Sequence, residues 1–132
     1  GYTMMYRMTG EQRYLEQAVK IAEYILPHLP EDAIPNWDFD ADVQMKDSSA
    51  GAIMASAFIE LYGFTQNKEY LTMAERQLRS LASDAYLAPL GENGYFILKH
   101  GVGHLPANTE VDVPLSYGDY YFVEAAMRYL AL

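Results

Sequence analysis

Cysteine is absent from the 132 residues. Its absence excludes a disulfide framework and any thiolate chemistry. Basic side chains are scarce: nine Lys and Arg face 18 Asp and Glu, for a formal net charge of −9. That balance argues against nucleic acid or an anionic membrane surface as partner. No apolar run approaches the roughly 20 residues that span a bilayer. No signal peptide is visible, but the sequence begins at Gly1 rather than Met, so the compartment is left open. What is present is apolar: 51% of residues are hydrophobic and twelve are tyrosine, enough for the core of one domain of ordinary length.

The missing positive charge is localised. Between residues 31 and 47, Glu31, Asp32, Asp38, Asp40, Asp42 and Asp47 face only Lys46. Between 84 and 119, Asp84, Glu92, Glu110, Asp112 and Asp119 face only Lys99. Acids and bases balance elsewhere. Two solvated loops would explain this, as would two neighbouring loops lining one acidic cleft.

An internal repeat recurs at a spacing of 56 residues: Tyr6, Thr9, Tyr14, Leu15 and Ala18 match Tyr62, Thr65, Tyr70, Leu71 and Ala74. Each copy reads helix, polar turn, helix, with Thr9-Gly10-Glu11 and Thr65-Gln66-Asn67 as turns. Residues 12–26 and 68–82 carry apolar side chains on one helical face only, as surface helices do. Segments 49–64 and 117–132 are apolar nearly all round; the first has Glu60 as its one charge, the second a Glu124–Arg128 pair. The opening GYTMMYRM reads as the end of a further buried helix. Buried and one-sided helices therefore alternate, as in a double ring of inner and outer helices. Closing such a ring takes about six hairpins, on the order of 340 residues at this repeat length. The expected fold is all-α, with five helices forming an arc of such a double ring. Exposed flanks of the inner helices then favour self-association.

Three segments carry candidate chemistry. In PNWDFDAD (35–42), Asp38, Asp40 and Asp42 alternate as in a calcium loop, but Val43 and Ser49 fall where that loop needs Gly and Glu. Trp37 beside Asp38 suits a sugar platform; closing the end of the core is the plainer alternative. In KDSSAGA (46–52), Asp47 or Ser48 is the expected N-cap of a buried helix whose free N–H groups would face a ligand. In HGVGHLPANTEVDVPLSYGDYYF (100–122), His100 and His104 lie four apart with Asp112 beyond them. Gly101, Gly103 and Pro106 make a zinc-binding helix a poor fit, so satisfied loop histidines and hydrogen-bonding ligand contacts are the alternatives. Ser116 is the expected N-cap of the last helix, and Tyr117 begins it. The run Tyr95–Leu98 is either a strand or packing for the mouth of the ring.

Taken in order, PNWDFD, KDSSAGAIMASAFIEL, HGVGHLPAN and EVDVPLSYGDYYFVEAAMRYL (110–130) resemble the unsaturated glucuronyl hydrolases. These bacterial enzymes remove a 4,5-unsaturated uronic acid from lyase-cut polysaccharide. The resemblance runs along nearly the whole chain and corresponds to the last third of a family member. It implies that residues 1–132 are the C-terminal part of a single (α/α)6-barrel catalytic domain. The activity it implies is hydration of the vinyl ether, protonated at C4 by an aspartic acid, rather than displacement at the anomeric carbon. It implies no metal or organic cofactor, an unsaturated oligosaccharide as partner, and a cytoplasmic or periplasmic setting. The family's two key aspartates fall upstream of Gly1, so no catalytic residue is assigned. The substrate-side residues carried over are Trp37, Asp38, Asp47, Ser48, His100, His104, Ser116 and Tyr117. Gly103 and Pro114 stand where larger or more polar residues are expected in some members. Because the substrate is anionic and both loops acidic, binding has to come from close hydrogen-bond donors. The related unsaturated rhamnogalacturonyl hydrolases, a non-catalytic sugar-binding barrel and a helical-repeat scaffold are the alternatives. The scaffold's usual 34-residue period does not fit 56.

Overall fold

The computed structural model describes residues 1–132. Five α-helices form: α1 (Tyr2–Thr9), α2 (Gln12–Ile25), α3 (Ser48–Thr65), α4 (Lys68–Leu81) and α5 (Ser116–Leu130). A two-stranded antiparallel sheet, β1 (Gly101–His104) and β2 (Thr109–Val113), is added between α4 and α5. It departs from the purely helical expectation. The run 95–98 is not a strand: Leu98 makes only an isolated bridge to Leu87.

The 56-residue repeat is a repeat of hydrogen bonds. The Thr9 and Thr65 hydroxyls donate to the carbonyls of Met5 and Leu61, and accept from the N–H groups of Glu11 and Asn67. Gly10 and Gln66 end their helices in left-handed conformation, with φ of 71° and 58°. Their N–H groups bond Tyr6 O and Tyr62 O, both at 2.8 Å. Glycine takes that conformation without strain and glutamine does not, so the second turn also braces itself with the Gln66 amide on Gly63 O.

α3 is central, packed against α4 on one side and α5 on another. Its contact faces are built from Ala52, Ala55, Ser56 and Gly51, with Phe58, Ile59 and Leu61 filling the layer toward the outer helices. One core joins Ala18, Ala22, Ala55, Phe58, Tyr70, Ala74 and Ala125 across α2, α3, α4 and α5. A second core, Ile34, Ala52, Leu81, Tyr86 and Leu98, lies under the long loops at the start of α3. Burying Ile34, Leu81 and Leu98 contributes roughly 2 kcal/mol each, which anchors those loops as firmly as the helices.

Burial falls away at the edges of the arc. α1 exposes Met4 and Met8, and α5 exposes Tyr120, Val123, Met127 and Leu130. Arg7 of α1 and Arg128 of α5 both reach Glu60 of α3, at 2.6 and 3.0 Å. Glu124 joins them through the Ser56 hydroxyl and, at 3.6 Å, Arg128. Apart from Asp119, the few charges of the inner helices thus meet one another.

Candidate functional site

Short turns join inner helices to outer ones, while the long segments 26–47 and 82–115 gather at the opposite end, where α3 and α5 begin. Those two helix starts abut. A methyl on Gly118 would lie 3.1 Å from Ser49 Cβ, so glycine permits the approach. Asp47 is the N-cap of α3, as the sequence leads one to expect; its buried Oδ1 accepts from Ser49 N–H (3.0 Å), Ser49 Oγ–H (2.7 Å) and Val102 N–H (3.2 Å). Ser48 N–H donates to His100 O at 3.0 Å. One side chain and one backbone bond therefore tie the 100–102 segment to the start of α3.

The cap of α5 is a correction. Leu115 in extended conformation is the N-cap, Ser116 is the first helical residue, and no side chain caps the helix. Leu115 is buried beneath β1. A Cβ on Gly101 would come within 2.8 Å of its Cδ1 and of Val113 O, so the hairpin closes over α5 where a cap would sit. Asp119 works in the opposite direction: both its oxygens accept at 2.9 Å, from Ile97 and Leu98 N–H, and bind the 95–98 run to α5.

Tyr117 is 41% exposed. Partial burial, and then the charge of Asp47 with that of Glu110, raise its phenol above the ordinary tyrosine value; a hydrogen bond with Ser49 acts the other way. It is an uncharged phenol near neutrality, able to donate to a hydroxyl or carboxylate.

The His100 ring is held on several sides. Nδ1 lies 2.6 Å from Asp112 Oδ1, and the ring meets Tyr86 edge to face at 6.2 Å between centroids. Tyr86 is itself fixed, its hydroxyl donating to Asp32 Oδ2 at 2.7 Å. Burial and that bond push its phenol well above the usual value. Together with Gln44, Met45, Lys46, Ala85 and Asp112, the Tyr86 and His100 rings line an open depression. His104 stands apart, exposed toward the tip of the hairpin opposite Thr109. No group of three His, Asp or Glu side chains converges as a metal site would require.

Trp37 and Asp38 belong to a neighbouring loop rather than to this cluster. Trp37 Nε1–H donates to Val43 O at 3.1 Å, and Asp38 accepts from Asp40 N–H at 2.7 Å in a local turn. Phe39 pins the loop to Tyr24 and His28 on the outer side. Trp37 thus closes its own loop, while Asp38 is exposed.

Much of the loop acidity is internal bracing. Asp32, Asp38, Asp47, Asp112 and Asp119 all have carboxylate oxygens taken up by protein donors. Burial pushes the Asp32 carboxyl up, but hydrogen bonds from Lys46, Tyr86 and Ile34 N–H outweigh it and hold the carboxyl below its usual value. A lowered folded value means that the unfolded chain binds more protons. Asp32 therefore stabilises the fold above roughly pH 4, and that contribution is lost as pH falls through the folded value. Both partners of the Lys46 pair are about one-third exposed, so the effect is well under about 1 kcal/mol. Denaturant midpoints of Asp32→Asn and the native chain should differ at neutral pH and converge in acid. A constant gap down to the acid transition would refute this.

The meeting of Arg7, Glu60 and Arg128 is not foreseen from the sequence, although Glu60 as the one charge of its helix and the Glu124–Arg128 pair are both visible there.

No family model matches the chain. It is 47% identical over 133 residues to the unsaturated glucuronyl hydrolase of Formosa agariphila, an alignment covering 97% of this chain and 33% of that protein. It superposes on the crystal structure of an unsaturated glucuronyl hydrolase specific for heparin with a TM-score of 0.94 at 46% identity, over 98% of this chain and 37% of that one. On a Streptococcus agalactiae unsaturated glucuronyl hydrolase variant complexed with dGlcA-GalNAc6S, the TM-score is 0.86 at 27% identity, over 97% and 36%. The chain spans about a third of the length of the curated relatives it matches. Its alternating inner and outer helices match an arc of their (α/α)6 barrel, and nearly the whole chain is similar to about a third of an unsaturated glucuronyl hydrolase.

Proposed function

We propose that residues 1–132 form the C-terminal part of a single (α/α)6-barrel catalytic domain and supply one wall of a cleft for a 4,5-unsaturated uronide. The observation that carries this is that α3 and α5 begin side by side, with Ser48 N–H bonded to the His100 carbonyl and Tyr117 lying against Ser49 in the field of Asp47. Neutral donors surround that point, among them the Tyr117 phenol and the exposed Ser116 hydroxyl, and they suit the hydroxyls and carboxylate of a sugar acid. The reaction is release of the unsaturated sugar by hydration of its vinyl ether. The aspartates that perform the proton transfer in the family have no counterpart among these residues, so the role given to this wall is binding and orientation. Trp37 and Asp38 on the adjoining loop, and His104 at the hairpin tip, lie outside this point and are given marginal roles. Likeness to a heparin-specific relative at 46% identity makes a heparin-derived unsaturated disaccharide the first substrate to assay.

At the protein's full natural length, His100→Ala is expected to lower kcat/KM for that disaccharide about fivefold, and His104→Ala by less, since one lost polar contact is worth about 1 kcal/mol. Consumption of the conjugated double bond gives a direct absorbance readout. Denaturant midpoints should stay close to native. Unchanged kinetics in both variants would remove the histidines from the site. Absence of any double-bond loss in the native protein would refute the hydrolase assignment itself.

A further inference from the structure

In β1–β2, Gly101 pairs with Val113 and Val102 with Val111. Asp112 is therefore the extra residue of a bulge, with no partner across the ladder. Its φ is 55°, and that of His100 is 63°. Left-handed backbone is uncommon for residues other than glycine, and such outliers concentrate where a side chain must be aimed. Here two of them bond each other at 2.6 Å. Without the bulge, Asp112 would sit opposite β1 in ordinary alternation; with it, the carboxylate turns onto His100 Nδ1. The other restraints on His100 are the Ser48 bond to its carbonyl and the edge-to-face contact with Tyr86. Nε2 has no partner in the protein, although the side chain is 44% exposed and lines the depression beside Gln44 and Lys46.

We propose that Asp112 is a positioning residue for His100: the bulge presents its carboxylate to Nδ1, so that the neutral ring carries its proton there and offers a bare Nε2 to a sugar hydroxyl. A histidine retained only for packing would not need two strained residues to fix its tautomer. The hydrogen-bond arithmetic is simple. A carboxylate only accepts, so at 2.6 Å the proton lies on Nδ1, and Nε2 of the neutral ring is the acceptor. Only the identity of the group that meets Nε2 rests on the proposed function.

The test uses two replacements that tolerate left-handed backbone. Asp112→Gly keeps the φ and deletes the carboxylate; Asp112→Asn keeps shape and φ and removes the charge. Nitrogen-15 NMR of the neutral His100 ring should show protonated Nδ1 and bare Nε2 in the native protein. In Asp112→Gly the ring should shift toward the Nε2–H tautomer that free imidazole side chains prefer. In turnover, Asp112→Gly should lower kcat/KM by up to about fivefold, the worth of one hydrogen bond. The double variant with His100→Ala should be no worse than His100→Ala alone, because the two act as a unit. A native ring protonated on Nε2, or a tautomer unmoved in Asp112→Gly, would overturn the proposal; additive kinetic losses would do so too. The NMR arm needs no substrate. A correct tautomer in a protein that consumes no unsaturated uronide would therefore uphold the positioning and refute the hydrolase reading alone.

Discussion

Asp47→Ala is expected to destabilise the protein by about 3 kcal/mol. Loss of a side-chain N-cap costs about 1 kcal/mol. Here the same oxygen also accepts from the Ser49 hydroxyl and from Val102 N–H, the latter in a residue only 7% exposed. A buried N–H left without an acceptor costs roughly 1–3 kcal/mol, and water cannot readily replace the carboxylate because Asp47 is itself 7% exposed. Asp47→Asn, which retains an acceptor oxygen, should lose only about 1 kcal/mol. Urea unfolding would give both values, and hydrogen exchange should locate the damage at the Val102 and Ser49 amides. A loss below about 1 kcal/mol in Asp47→Ala, or protection unchanged at Val102, would show that the hairpin is not tied to α3 through this carboxylate. The result bears on the cleft as well, since the same bonds set the position of His100.

The helices and the interhelical turns were legible in the sequence because their causes are local. Thr9 and Thr65 cap by bonding four residues back and two ahead, which any pair of matched turns reveals. The inner and outer alternation was legible because α2 and α4 have one apolar face while α3 is surrounded. The hairpin was not: Gly101-Val102-Gly103-His104 has little strand propensity, and the Glu110 side chain lies across Gly103, where an added Cβ would fall 2.8 Å from that of Glu110. The Ser116 cap failed for a tertiary reason, the burial of Leu115 under β1. Asp47, Ser48 and the His100 backbone meet at the start of α3, with Tyr117 beside Ser49. Trp37 and Asp38 stay on their own loop, because Phe39 draws that loop toward α2. Family resemblance could not supply the Asp112 bulge, since it depends on a one-residue mismatch between two strands.

Glu60→Ala is expected to cost about 2–3 kcal/mol, though Glu60 contacts neither loop nor candidate ligand residue. One carboxylate holds α1 through Arg7 and α5 through Arg128, at 2.6 and 3.0 Å, with its own side chain 13% exposed. Removing one member of a buried pair leaves its partner's charge unpaired, which costs 3–5 kcal/mol when fully enclosed. Arg7 is about half exposed and recovers water, so the expectation is lower. Arg128 recovers less, being held between Ser56 O and Glu124. Glu60→Gln should fall between native and Ala, keeping one acceptor without the charge. Because the Glu60 side chain is only 13% exposed and Arg128 26%, raising the salt concentration should reduce the difference only slightly, whereas a surface pair would be largely screened. Arg7→Ala introduced into Glu60→Ala should add little, since the shared partner is already gone. Equal and additive losses from the two single variants, or a Glu60→Ala difference that vanishes in high salt, would identify these contacts as independent surface pairs. The opposite outcome makes the network the element that sets the relative position of three inner helices, and with it the spacing of the helix starts at which the proposed sugar wall is built.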